Sequence, residues 1–241
     1  MGGFSASYAV HCADDQRVCA GIEKLVADEG WHTSLTPLDD EAMWGFGGSQ
    51  RGIVVCRASG GWTPVIDSAA MVAPTPESLS AELQTSVVNL TVHDSDFWNY
   101  TLLRSGIVDS YSSMNMEEYF GGDAPASEGP PQRTLDERWE LLSDHLADGV
   151  TREAFDRVFT PMDMNNLQDW VGGEEGLSQF LELLGIEPSL AWLSYRYWME
   201  TPGGHEPLEE IRHFLLAADG ASESRDLFDE DSGPDILPFP G

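Results

Sequence analysis

The sequence predicts an α+β protein. An N-terminal region over residues 1–120 forms a mostly antiparallel sheet with flanking helices, and a helical C-terminal region follows over 134–216. Three features predict this. Three short runs of alternating polarity follow one another between residues 88 and 111, with tight polar breaks between them. A Gly/Pro-rich stretch over 121–133 reads as a linker. Beyond it the apolar residues recur every three to four positions instead of every two.

Phe4 to His11 reads as a first strand. Asp14 and Asp15 offer an N-cap, after which Val18, Ile22 and Leu25 share a helical face that ends before Gly30. Residues 31–36 fit a short strand, and Trp44-Gly45-Phe46-Gly47-Gly48 a loop. Ile53-Val54-Val55-Cys56 is a continuous apolar run, as expected of a strand covered on both faces. Ser59-Gly60-Gly61 supplies a turn and Trp62 to Asp67 returns as its hairpin partner. Thr75-Pro76 opens a helix that turns Leu79 and Leu83 inward. Val88, Leu90 and Val92 then alternate with polar residues, as do Trp98, Tyr100 and Leu102, and Ile107 to Tyr111 follows. Asp94-Ser95-Asp96 and Ser105-Gly106 are the breaks, so the three runs form a meander with one covered face.

Past the linker, Thr134 with Glu137 forms a capping-box pattern ahead of Leu135, Trp139, Leu142 and Leu146. Thr151 caps a helix carrying Phe155, Val158 and Phe159. Leu177, Phe180, Leu181 and Leu184 mark another, stopped by Gly185 and Pro188. Leu190 to Met199 fits either a strand or a buried helix. Pro207 is expected to open a last helix with Leu208, Ile211 and Leu215, and an acidic, disordered tail follows over 217–241.

Charge bounds the partners. The chain holds 42 Asp and Glu against 12 Lys and Arg, a formal net charge of −30 over 241 residues. The acids are spread along the chain and are densest near the C-terminus. Such a surface repels polyanions, so neither nucleic acid nor an anionic membrane is an expected partner. A basic protein is. A saline cytosol or a bound cation would also account for the acidity. No signal peptide or apolar spanning run is visible, and three cysteines (Cys12, Cys19, Cys56) make no disulfide framework. The expectation is therefore a cytoplasmic protein. Its oligomeric state is not legible in the sequence.

Few residues point to chemistry. Asp94 and Asp96 form an Asp-x-Asp pair at a strand end, where two hard carboxylates suit a divalent cation, the one cofactor the sequence allows. Asp and Ser are equally the residues a hairpin reversal favours. His11, Cys12 and Cys19 have no partner pair at zinc-ligand spacing, and Cys56 reads as an inert buried thiol. There is no Gly-x-Ser-x-Gly elbow, and Gly45 to Ser49 lacks the Lys of a phosphate-cradling loop. Glu174-Glu175 reads as a helix start. Of the eight Trp, Trp44 stands apart in its Gly-rich segment. With the tail carboxylates Asp226, Asp229, Glu230 and Asp231 it forms the expected partner-binding set, because aromatic rings beside carboxylates suit Arg-rich surfaces.

Several segments resemble a pattern found in a family of uncharacterised bacterial cytosolic proteins. These are Trp62 with Val65-Ile66-Asp67, Leu79 to Leu83, Val92 to Asp96, Tyr100 to Arg104, Gly106, Val108 to Tyr111 and Tyr119-Phe120. The resemblance covers about a quarter of the chain. It implies the strand–helix–meander order and a bacterial origin, and transfers no site.

The functional expectation is a non-enzymatic acidic binding or regulatory protein of the bacterial cytosol, such as an immunity or inhibitor protein masking a basic target. The rivals are a metal-dependent enzyme built on Asp94 and Asp96, and a structural subunit of a larger assembly.

Overall fold

The computed structural model describes residues 5–43, 48–70, 75–93, 96–113, 133–159, 173–201 and 208–218. The linker 121–132, Trp44, Asp94 and the tail from 219 lie outside them.

The protein is α+β, built on one eight-stranded antiparallel sheet. β1 (Ser5–Val10) leads into α1 (Asp15–Asp28), β2 (Trp31–Thr33), the single turn α2 (Asp40–Met43), β3 (Gln50–Cys56) and β4 (Thr63–Asp67). Next come α3 (Thr75–Leu83) and the meander β5 (Val87–His93), β6 (Phe97–Leu103) and β7 (Ile107–Ser112). Among the described residues the later helices are α4 (Leu135–Leu142), α5 (Arg152–Val158), α6 (Gly173–Leu184) and α7 (Tyr195–Glu200), followed by β8 (Glu210–Ala218). The strand order is β2-β8-β3-β4-β1-β5-β6-β7.

Local chemistry sets most of these boundaries. The Asp14 carboxylate accepts the Arg17 amide at 3.1 Å and starts α1. Thr134 and Glu137 form the reciprocal capping box on α4. Thr151 caps α5 by accepting the Ala154 amide. Gly60 and Gly61 both take positive φ, as a two-residue hairpin turn requires, and Ser59 and Trp62 exchange both backbone bonds across it.

Strand alternation divides the core into two layers. Tyr8, Val10, Ile53, Val55 and Val65 face α1 and α3, meeting Val18, Ile22 and Leu79. Ala9, Val54, Ile66, Val88, Leu90 and Tyr100 face the later helices, meeting Leu142, Phe155, Phe180 and Leu184. The apolar run at Ile53–Cys56 is thus covered on both sides, as expected. The meander contributes mainly to the second layer, where Trp98, Tyr100, Tyr111, Phe159 and Phe180 stack on one another.

Two buried ion pairs hold the layers to the sheet. Arg51 donates to Asp67 at 3.0 and 2.6 Å and to the Thr75 hydroxyl at 2.5 Å, joining β3, β4 and α3. Arg138 donates to Asp109 at 3.0 Å, with Arg133 at 3.3 Å on the other carboxylate oxygen, joining α4 to β7. The Arg138 guanidinium also lies over the Tyr111 and Phe159 rings.

One expected element is corrected. The segment expected to be a last helix is the strand β8, which inserts between β2 and β3. Leu208, Ile211 and Leu215 do have helical spacing, but Phe214 and Leu216 alternate at two. That second pattern prevails because β3 would otherwise leave a row of buried backbone donors and acceptors without partners. Phe214 and Leu216 join the α1 layer, pairing across from Ile53 and Arg51. The ambiguous stretch 190–199 is helical: a 3-10 turn over Pro188–Trp192, then α7.

Candidate functional site

Two features have the chemistry of a site: a polar corner at one end of the sheet and a set of exposed aromatic and apolar side chains on the late helices.

The corner collects residues from five separate elements. His11 follows β1, Trp62 precedes β4, Ser86 precedes β5, Arg104 follows β6, and His145 ends the 3-10 turn after α4. The backbone at His11 is clamped on both sides. Its amide donates to the Ser86 carbonyl at 2.8 Å, and its carbonyl accepts the Thr85 hydroxyl at 2.6 Å. The next carbonyl, of Cys12, accepts the Thr63 hydroxyl at 2.7 Å. The His11 ring then packs against Trp62 and His145 at centroid distances of 4.7 and 4.8 Å. Arg104 donates through Nε to Ser86 Oγ at 3.1 Å and through Nη2 to His145 Nε2 at 3.1 Å, while Ser86 Oγ lies 3.2 Å from that same Nε2.

This geometry settles the His145 tautomer. A guanidinium only donates, so Nε2 must accept, and the proton of the neutral ring sits on Nδ1. Burial lowers the His145 pKa to about 4, with the positive neighbours His11 and Arg104 adding to the effect. Burial and then Arg104 lower that of His11 as well. The imidazole is therefore neutral at pH 7. Ser86 and His145 are within reach of each other, but this is a poor nucleophile–base pair. Ser86 is buried, and the Nε2 lone pair that would take its proton already accepts from Arg104.

Backbone strain gathers at the same end. The only non-glycine residues at positive φ among those described are Gln84 (52°) and Ser105 (54°). The first lies two positions before Ser86 and the second directly follows Arg104. Buried Ser80 braces both turns, donating to the Thr85 carbonyl at 2.8 Å and accepting the Ser105 amide at 3.0 Å.

The exposed side chains lie on the 3-10 turn Pro188–Trp192 and α7. Tyr195 and Trp198 point into the core, which leaves Trp192, Tyr197 and Met199 at 55%, 48% and 39% exposure. Acids dominate the surrounding sequence: from residue 173 to 210 every charged residue except Arg196 is a Glu.

The residues singled out from sequence fare unevenly. Trp44, Asp94, Asp226, Asp229, Glu230 and Asp231 lie outside the described residues. Asp96 is described, and its amide donates to the His93 carbonyl at 2.9 Å, one bond of the reversal between β5 and β6. Among the described residues no group of three or more His, Cys, Asp or Glu is placed to hold a metal ion. Cys56 is buried and its thiol pKa is pushed up to about 12 by burial, with Glu210 adding. The corner was missed because its members are scattered through the sequence from 11 to 145. The exposure of Trp192 had no signal in the spacing, because it stands three positions before buried Tyr195 and helical periodicity would place the two side by side.

No protein-family model matches the chain, and comparisons with curated proteins and with solved structures find no match. Among the described residues no helix is long and apolar enough to cross a membrane.

Proposed function

We propose that this is an acidic binding protein of the bacterial cytosol that engages a basic protein partner, in the manner of an immunity or inhibitor protein. The single observation that carries the proposal is the exposure of Trp192, Tyr197 and Met199 within an acidic segment of a chain with net charge −30. Aromatic side chains offer large contact area and a π face to Arg guanidinium groups. The surrounding carboxylates steer a cationic partner toward them and make association fast and salt-sensitive.

The test is capture of a basic protein from the source lysate at low and high salt, followed by affinity measurement with the purified partner. Retention at low salt and loss at high salt is expected. Trp192→Ala should weaken binding by roughly tenfold, as an interface anchor does. Leu35→Ala, at the fully exposed Leu35 outside this set, should leave it unchanged. An affinity independent of salt overturns the proposal.

A further inference from the structure

We propose that the corner formed by His11, Trp62, Ser86, Arg104 and His145 is a binding site for a small oxyanion, a carboxylate or a phosphate. Its oxygens would accept the Trp62 Nε1–H and the His145 Nδ1–H.

Arg104 is the first reason. Nine of the eleven described Lys and Arg side chains pair with a carboxylate: Lys24, Arg51, Arg57, Arg133, Arg138, Arg152, Arg157, Arg196 and Arg212. The other two are Arg17 and Arg104. Arg17 donates to the carbonyl of Leu83 at the end of α3, an ordinary helix-terminus contact. Arg104 donates instead to Ser86 and His145, both neutral. In so acidic a chain, a cation that pairs with no carboxylate among the described residues marks a place kept positive.

The second reason is two orphaned donors. Trp62 and His145 are 1% and 5% exposed, and among the described residues Trp62 Nε1 and His145 Nδ1 have no hydrogen-bond partner. The tautomer imposed by Arg104 makes His145 Nδ1 a donor, and indole nitrogen is only ever one. A buried N–H without an acceptor is rare and costly, so two carried by rings 5.6 Å apart call for an acceptor. No carboxylate hydrogen-bonds to any of the five side chains among the described residues. Asp144 acts on His145 only through space, opposing the effect of His11 and Arg104. A ligand that only accepts fits this donor set, whereas a water must also place its own hydrogens.

Gly61, at φ +86°, brings the hairpin turn against this corner, where a Cβ built on it would lie 3.8 Å from His11 Nε2. Phosphate and carboxylate share the acceptor chemistry the corner selects. A polyanion is still turned away by the surrounding field, but a small singly or doubly charged ion is not.

The experiment is a heteronuclear NMR titration of the full chain with sodium acetate or inorganic phosphate, against sodium chloride at matched ionic strength. A saturable shift of the Trp62 indole N–H is expected in the millimolar range with one oxyanion, with the His145 and His11 pKa values rising toward normal as the bound charge stabilises their protonated forms. Response to acetate assigns a carboxylate, and response to phosphate a phosphate. Arg104→Gln should weaken the response at least tenfold. Because the wild-type titration decides the matter alone, a poorly folding variant does not blunt it. No saturable shift, or one that chloride reproduces, overturns the proposal and leaves a water at the two donors.

Discussion

Asp67→Asn probes what locks β3 to β4. Asp67 and Arg51 are 2% and 1% exposed. Besides the two Arg51 bonds, Asp67 accepts the Ala69 amide at 2.9 Å and the Tyr8 hydroxyl at 3.4 Å. Burial alone would lower the Arg51 pKa, but the Asp67 carboxylate outweighs it and holds the guanidinium above its usual value. The amide keeps the shape and removes the counter-charge. Breaking a buried pair from one side costs about 3–5 kcal/mol. Glu29 stays 3.6 Å from the guanidinium and only part-buried, so the low end, about 3 kcal/mol, is expected. With a urea slope of about 3 kcal/mol/M for a chain this size, the midpoint falls by about 1 M. Urea unfolding followed by far-UV circular dichroism reads this directly. Adding Glu29→Gln removes the second counter-charge, so the double variant should lose more than the sum of the two. Asp28→Asn, in the exposed pair with Lys24 at 3.2 Å, should leave the urea midpoint unchanged. A cost below about 1 kcal/mol for Asp67→Asn would refute the claim that this pair carries the hairpin.

Two further outcomes rest on the same structure. His145 is depressed in the folded state by burial and by His11 and Arg104, so between its ordinary value and about 4 the unfolded chain binds a proton the folded one refuses. Stability is full above that window and falls as pH drops through it, by about 2 kcal/mol after allowance for solvent screening. His145→Asn, which can still accept from Arg104, should flatten this part of the wild-type pH–stability curve, and an unchanged slope would remove His145 as its source. Gly52 in β3 lies directly beneath the Tyr195 ring, so a Cβ there meets the ring and its hydroxyl. Gly52→Ala should therefore cost about 1–3 kcal/mol in thermal or urea unfolding and break the Tyr195 hydroxyl contact with His213 at 2.7 Å. Wild-type stability would show instead that α7 is free to move off the sheet.

The sequence by itself determined whatever a few neighbouring residues decide. The caps at Asp14, Thr134 and Thr151, the Gly60-Gly61 turn and the alternation of Val88 to Leu102 are local devices, each readable from spacing because its energy is made within a few residues. The α+β class followed from those elements. Only the tertiary structure decided β8, because helical and strand spacings coexist in residues 208–216 and the choice belongs to β3, some 160 residues earlier in the chain. It also decided that Gly52 admits Tyr195, that Arg51 and Asp67 meet in the core, and that Arg104, Ser86, Trp62, His11 and His145 share one corner. The functional expectation was legible as a net charge but not as a surface. Charge adds up along a sequence, whereas exposure, pairing and orphaned donors arise only when distant segments are brought within hydrogen-bond distance of one another.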